Sequence, residues 1–273
     1  MSASPAPPLR VASVGALGRM GERVRAAVAA APDAELVGAL EAAGHPSLGC
    51  RLDGVVVGDD PKLALGPANV AIDFSTPGST LRALRTAADL GLAYVCGTTG
   101  FSGAERAEFE QLARRIPVVA APNFSVAVNT LVHLVGEAAR LLGADFDAEI
   151  VELHHAAKRD APSGTALRLA EAVARARGED PERALVLARE GDTGPRRSGS
   201  IGVVALRGGD SPGEHSVLLV GRGERLELAH RAATRDHFAA GALRAARWLR
   251  GRPPGLYGME EVLGLPAPRT GPR

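Results

Sequence analysis

Residues 152–166 read E-L-H-H-A-A-K-R-D-A-P-S-G-T-A. The stretch holds adjacent histidines, a lysine, an arginine, an aspartate and a Ser-Gly-Thr step. Histidine titrates close to neutrality, so His154 and His155 are candidates for giving or taking a proton. An apolar run at 150–153 predicts a strand leading in. Residues 165–177 predict a helix leading out, with Ser163 as its N-cap. A polar loop that ends on a helix N-terminus can hold an anion on N–H groups, and Lys158 adds a positive charge beside it. The chemistry this suggests is holding a carboxylate while a proton moves. The lysine is informative in itself. Of 32 Lys and Arg residues, only Lys62 and Lys158 are lysines. Where charge alone suffices this chain uses arginine, so a lysine here points to a compact, protonatable ammonium. For each histidine taken singly, a polar loop with locally satisfied rings is the competing reading.

The elements that must position such a cluster begin at the N-terminus. An apolar run at 9–14 ends in Gly15-Ala16-Leu17-Gly18-Arg19-Met20-Gly21, and a helical pattern follows to 31. Strand, glycine turn and helix form the opening of a dinucleotide-binding unit, in which a pyrophosphate sits on the helix N-terminus. The spacing is G-x-x-G-x-x-G, and a turn made for packing alone is the alternative. Residues 35–40 predict the next strand, ending in Glu41, where a carboxylate can grip ribose hydroxyls. Residues 45–66 read as loop-rich, with Asp59-Asp60-Pro61 as punctuation. Strands at 70–74, 92–96 and 116–120 then alternate with helices, one of them opened by a Ser102/Glu105 capping box. Each strand ends in small or polar residues: Asp73-Phe74-Ser75, Gly97-Thr98-Thr99-Gly100 and Ala121-Pro122-Asn123-Phe124. The fold class expected is α/β, with a Rossmann-like doubly wound parallel sheet whose carboxyl rim forms a cofactor cleft.

After a long helix at 126–142 the pattern changes. Strands at 146–153, 200–207 and 214–220, and a hairpin into 226–229, predict a second α+β domain with a mixed or antiparallel sheet and few helices. The glycine- and charge-rich segment 189–199 reads as a mobile loop. A helix at 236–250 is expected to return to the first domain, followed by a tail containing Gly-Leu-Tyr-Gly-Met and Val262-Leu263. The domain reading is 1–125 with 236–273 for the dinucleotide, and 126–235 for substrate binding and oligomerisation.

Composition narrows the partners. The 273 residues are 45% hydrophobic and 23% charged, with net charge +1 and 3% aromatics. That offers neither a global basic field nor a base-stacking platform for nucleic acid. Cys50 and Cys96 make no disulfide framework. Residues 1–8 lack the features of a signal peptide and read as a frayed tail, and no apolar run is long enough to span a bilayer. A cytoplasmic protein without membrane or nucleic-acid partners is expected. No metal site is expected, because adjacent histidines at a strand end point apart and no cysteine or third histidine lies close in sequence.

Taken together, V-G-A-L-G-R-M-G, I-D-F-S, G-T-T-G-F, N-F-S-V, the 152–166 stretch, R-E-G, G-E-H and G-L-Y-G-M resemble the 4-hydroxy-tetrahydrodipicolinate reductase (dihydrodipicolinate reductase) family. These are NAD(P)H enzymes of the bacterial diaminopimelate and lysine pathway, and the likeness runs over residues 9–265. The resemblance implies a cyclic imine dicarboxylate substrate. It implies Gly15, Ala16, Leu17, Gly18, Arg19 and Met20 for the pyrophosphate and Glu41 for the adenosine ribose. Gly97, Thr98, Thr99, Ala121, Pro122, Asn123 and Phe124 would line the nicotinamide side. His154 would be the acid–base residue and Lys158 a second proton donor or carboxylate anchor. His155, Ser163, Gly164 and Thr165, with Thr99, would hold substrate carboxylates, in a homotetramer built through the second domain's sheet. Ala42 stands where many members carry Arg or Lys, so NADH is expected to serve at least as well as NADPH, with Arg19 as the one nearby cation. Pro122 departs from the small residue usual before Asn123. Two other classes remain open here: another two-domain dehydrogenase of aspartate-derived substrates, and a non-enzymatic nicotinamide sensor.

Overall fold

The architecture is that of a computed structural model describing residues 7–266. Positions 1–6 of the expected N-terminal tail and 267–273 of the expected first domain lie outside the described residues. In chain order the first elements are β1 (Leu9–Val14), α1 (Arg19–Ala29), β2 (Ala34–Leu40), β3 (Arg51–Leu52), β4 (Val55–Gly58) and α2 (Pro61–Leu65). Next come β5 (Val70–Asp73), α3 (Pro77–Leu90), β6 (Ala93–Cys96), α4 (Gly103–Ala113) and β7 (Pro117–Ala120). Then follow α5 (Val126–Leu142), β8 (Asp147–His154), α6 (Gly164–Arg177), α7 (Pro181–Ala184), β9 (Leu185–Val186), β10 (Ile201–Arg207), β11 (Glu214–Val220) and β12 (Arg225–Arg231). The chain closes with α8 (Asp236–Trp248), β13 (Gly255–Tyr257) and α9 (Met259–Leu263). These elements form two compact units, one of the chain up to Ser125 with Arg235–Gly264, the other principally Val126–Thr234.

The first unit is a sheet in the order β13-β7-β6-β5-β1-β2-β4-β3, with every pair parallel except β3–β4. Its strands are apolar on both faces because helices cover both. Val11, Ile72, Val95 and Val119 pack with Val24 and Val28 of α1, Ala242 of α8 and Met259 of α9. Ala12, Val14, Tyr94 and Val118 pack with Leu65, Leu81, Leu84 and Phe109 from the other side. The chain leaves β1 towards β2 on one side and returns to β5 on the other, so the strand order reverses at the β1/β5 boundary. Open α/β sheets bind ligands beyond the carboxyl ends of strands at such a reversal.

The loop-rich segment at 45–66 also holds the short elements β3, β4 and α2, and the Gly-Leu-Tyr tail is an edge strand, β13, parallel to β7. These strands have two to four residues. Their backbone pairing comes from neighbours distant in sequence, and runs so short carry no periodicity of their own.

The second unit is a mixed sheet, β12-β11-β8-β10-β9, in which β8 runs parallel to β10 and antiparallel to β11. On one face, Leu131 and Val135 of α5 and Leu169 and Val173 of α6 pack against Ile150, Val203, Val217 and Leu219. Among the described residues no helix of the unit covers the other face, where Val204, Leu206 and Val220 are 42%, 47% and 39% exposed. The loop before β10 is tied to β8: Arg189 forms a two-bond pair with Glu149 (2.8 and 2.9 Å), and Arg196 reaches both Glu149 (3.0 Å) and Asp147 (2.6 Å).

Candidate active site

In the first unit, β1 ends in a turn that only glycine adopts without strain: Gly15 has φ +70°, the left-handed region. The amides of Gly15 and Ala16 donate to the Leu40 carbonyl (2.9 and 3.2 Å), which docks the turn onto the end of β2. Glu41, next in the chain, accepts from the Leu17 amide (3.0 Å) and from the Ala42 amide (2.9 Å). Helix α1 then starts with Gly18 as an N-cap that makes no side-chain capping bond. A helix start without a side-chain cap, facing a glycine turn, leaves backbone N–H groups for an anion. A Cβ on Gly15 would lie 3.1 Å from the Phe74 carbonyl oxygen, so the cradle is shaped by the absence of a side chain. These features fit a dinucleotide pyrophosphate, with Gly18 and Arg19 exposed and Met20 half-buried. Arg19 is not the one nearby cation. Arg82 of α3 donates to the Asp59 carbonyl (3.0 Å) and to the carbonyl of Glu41 itself (3.5 Å). Its position depends on how α3 packs and cannot be read from local spacing.

The neighbouring rim is organised from the end of β5. Asp73 is fully buried and accepts from Tyr94 Oη (2.7 Å), the Ser75 amide (2.9 Å) and Thr98 Oγ1 (3.5 Å). Burial raises its carboxyl above the usual range, against the hydrogen bonds that favour ionisation. Thr98 Oγ1 also receives Thr80 Oγ1 (2.9 Å). The Phe74 ring lies beneath Gly97, where a Cβ would come within 2.1 Å of it, and meets Phe124 edge to face at 5.7 Å. Cys96, Thr98, Thr99, Phe101, Ala121 and Pro122 line a cavity of about 270 Å³. Burial and the Asp73 charge push the Cys96 thiol far up, so it is a neutral part of that wall. Asn123 Oδ1 accepts from the Ser125 amide (2.8 Å), closing a local turn after Pro122.

In the second unit, β8 carries Glu152 and His154 on its helix-covered face. Register sets His215 of β11 opposite Glu152 and Arg207 of β10 opposite His154. Glu152 is fully buried and saturated. One oxygen accepts from the Ser163 amide (3.0 Å) and Arg207 Nη2 (3.1 Å); the other accepts from Arg207 Nη1 (3.1 Å) and pairs with His154 Nδ1. Burial alone would raise the Glu152 carboxyl, but Arg207, His154 and the Ser163 amide reverse this and hold it below the usual range. His154 is held below its ordinary value, chiefly by burial and further by Lys158 and Arg207, against the upward pull of Glu152.

His155 is half-buried at the strand end, its amide donating to the Ser211 carbonyl (2.9 Å). Lys158 Nζ is not a lone cation but donates to both oxygens of exposed Asp160 (2.9 and 2.8 Å). Ser163 caps α6 as its spacing predicts, Oγ accepting from the Ala166 amide (3.1 Å). Gly164 and Thr165 stand in the first turn, where amides fall outside the helix's own ladder. So His154, His155, Lys158, Ser163, Gly164 and Thr165 come together in the second unit, whereas Thr99 belongs to the first.

Two family models, described as the N-terminus and the C-terminus of dihydrodipicolinate reductase, match residues 9–124 and 127–263. The chain belongs to the dihydrodipicolinate reductase family. It is a nicotinamide-dependent oxidoreductase of that family. It is 47% identical over 264 residues to the 4-hydroxy-tetrahydrodipicolinate reductase of Anaeromyxobacter dehalogenans, covering 94% of this chain and 98% of the relative. It is 46% identical over 266 residues to that of Geobacter sulfurreducens, covering 94% and 99%. Among solved structures, a dipicolinate-bound dihydrodipicolinate reductase from a Paenisporosarcina species shares the fold at TM-score 0.74 and 24% identity, over 92% of this chain and 97% of that one. An amine dehydrogenase from Mycobacterium smegmatis follows at TM-score 0.59 and 14% identity, over 97% of each chain.

Sequence reasoning missed Glu152, Arg207, His215 and Asp160 as site residues of this reductase. Glu152 and Asp160 lie inside the central stretch and could have been flagged as the carboxylates nearest the histidine and the lysine. Arg207 and His215 arrive only through strand register. Among the described residues no group of three or more His, Cys, Asp or Glu is arranged to hold a metal, and no helix is long and apolar enough to cross a membrane.

His215 is buried, with Nε2 3.1 Å from Ser163 Oγ. Burial, then the neighbouring His154, lowers its pKa to about 4. The folded pKa lies below the unfolded one, so between the two the unfolded chain binds the extra proton. Stability is therefore full above the unfolded value near 6.5 and declines as pH falls towards about 4. The expected loss is on the order of 3 kcal/mol. Denaturant midpoints measured between pH 7 and pH 4 check this, and His215→Gln should flatten the decline.

Proposed function

We propose that this reductase converts 4-hydroxy-tetrahydrodipicolinate to tetrahydrodipicolinate, the step its family serves in diaminopimelate and lysine synthesis. The observation that carries the reading is the buried Glu152–His154 pair beside Lys158 and the start of α6. A ring dicarboxylate needs two anion anchors and one proton. The α6 first turn, with Ser163, Gly164 and Thr165, supports one carboxylate; Lys158 and His155 support the other. Lys158 must then exchange Asp160 for substrate. His154 supplies the proton that matches hydride addition. The bound nicotinamide supplies the hydride. Gly15 to Met20 and Glu41 would hold the dinucleotide's pyrophosphate and ribose, with Gly97 to Thr99 and Ala121 to Phe124 on the nicotinamide side. The dipicolinate held by the Paenisporosarcina enzyme is a ring dicarboxylate of the same class, which supports the substrate reading.

NADH is expected to serve at least as well as NADPH. Glu41 presents a carboxylate followed by Ala42, which disfavours a 2′-phosphate. Arg82 is engaged with backbone carbonyls rather than offered beside position 42. Side-by-side kcat/KM values for the two nucleotides check this; a strong NADPH preference would instead assign the phosphate to Arg82 or Arg19.

The reading extends to a homotetramer. Val151, Leu153, Val204, Leu206 and Val220 share the sheet face that no helix of the second unit covers. Light scattering is expected to give four chain masses, and Leu206→Glu to lower that number; a wild-type monomer would rule the assembly out.

The experiment that tests the function is nicotinamide oxidation with the condensation product of aspartate semialdehyde and pyruvate generated in situ. Turnover supports the reading. Tight nucleotide binding without turnover would favour the nicotinamide-sensor alternative.

A further inference from the structure

The Glu152 carboxylate touches no reacting atom, yet both of its oxygens are engaged, with four hydrogen bonds between them. It is 0% exposed, and all its partners converge from different elements: Arg207 from β10, the Ser163 amide at the head of α6, and His154 two residues along its own strand. A carboxylate satisfied this fully is held in one orientation. The ring it meets at Nδ1 is therefore also fixed.

We infer that Glu152 is a positioning residue that locks His154 in its Nδ1–H tautomer and leaves Nε2 as the nitrogen that delivers the proton. This rests on the assignment of His154 as proton donor. Three observations support it. Glu152 is acceptor-only when ionised, so His154 Nδ1 must carry the hydrogen in that contact. The far side of the ring faces Gly213, where a Cβ would lie 2.8 Å from Nε2, so the chain keeps that nitrogen clear of a side chain. His215, edge-on with ring centroids 5.2 Å apart, has its Nε2 3.1 Å from Ser163 Oγ, so that nitrogen is engaged away from His154.

In the transfer step the Nε2–H bond breaks and a bond from that proton to the substrate atom made basic by hydride addition forms. The imidazolium becomes neutral imidazole, and Nδ1–H stays on Glu152. The charged groups around the ring act in opposite senses. Glu152 favours the protonated ring, whereas Lys158 and Arg207 oppose it; His215, and His230 behind it, are the remaining titratable neighbours on β11 and β12.

That opposition supplies a test that a merely structural role would not pass. For a general acid, kcat/KM declines as pH rises through the histidine's pKa. Glu152→Gln removes the group that raises it, so the limb should move to lower pH, with kcat/KM about 10²-fold down on the alkaline side. Arg207→Met removes a group that lowers it, so the limb should move to higher pH. A limb unmoved in both variants, or moved the same way in both, overturns the inference. Nitrogen NMR of histidine-labelled wild-type protein needs no variant to fold: a neutral His154 protonated on Nδ1 supports the inference, and one protonated on Nε2 overturns it. Full activity in His154→Gln would sink the proton-donor assignment instead, and the NMR spectrum would still report whether Glu152 sets the tautomer.

Discussion

Replacing His154 by glutamine is expected to lower kcat by about 10²–10⁴-fold, the usual contribution of a positioned acid, and to leave the KM for the nucleotide unchanged. Glutamine keeps a polar group of similar reach but cannot exchange a proton near neutrality. The separation follows from the architecture: His154 stands at the end of β8 in the second unit, whereas the glycine turn and Glu41 belong to the first. The substrate's KM should rise modestly, because Lys158 and the α6 first turn remain. Steady-state kinetics with each component varied in turn checks the split. A nucleotide KM that rose with the kcat loss would mean that the variant had disturbed more than proton transfer.

Gly21→Ala is expected to damage both folding and nucleotide binding through a single added methyl. A Cβ at position 21 would fall 2.2 Å from the Gly15 carbonyl oxygen and 2.7 Å from the Ala16 carbonyl, neither of which can move without opening the turn. The third glycine of the G-x-x-G-x-x-G turn thus allows α1 to approach β1 closely. Overpacking a close backbone contact costs about 3 kcal/mol. Here the strain also falls on the amides of Gly15 and Ala16 that dock the turn on Leu40. Chemical denaturation should therefore show a lower midpoint and calorimetry a large loss of nucleotide affinity. Gly18→Ala is a useful comparison, since its nearest neighbour in the same test is 3.3 Å away. Equal effects at the two positions would contradict the close-approach argument.

What the sequence made legible was whatever is encoded locally. The Ser163 N-cap and the Ser102/Glu105 capping box are set within three residues, and both are present as expected. Strands β1, β5, β6 and β7 were visible because burial on both faces makes them mostly apolar. Strands β3, β4 and β13 were not, because partners elsewhere in the chain define them. The same division runs through the site. His154, Lys158 and Ser163 share one short stretch and could be found from residue type. Arg207 and His215 reach Glu152 through the parallel β8–β10 and antiparallel β8–β11 registers, across 55 and 63 positions of sequence. Glu152 itself reads in isolation as one more residue of an alternating strand. Its importance appears only when Arg207, His154 and the Ser163 amide are seen to share its two oxygens. Arg82 beside Glu41 was hidden for the same reason: α3 brings it there from 41 residues away.

On the proposed function, this chain reduces a ring dicarboxylate and His154 delivers the proton. The most direct measurement follows the loss of reduced-nicotinamide absorbance when the aspartate-semialdehyde/pyruvate condensation product is formed in the cuvette, for wild type and His154→Gln side by side. The predicted result is turnover with NADH in the wild type, reduced about 10²-fold or more in the variant, with nucleotide binding intact in both. Equal turnover by the two proteins, or none by wild type that binds NADH tightly, would contradict it.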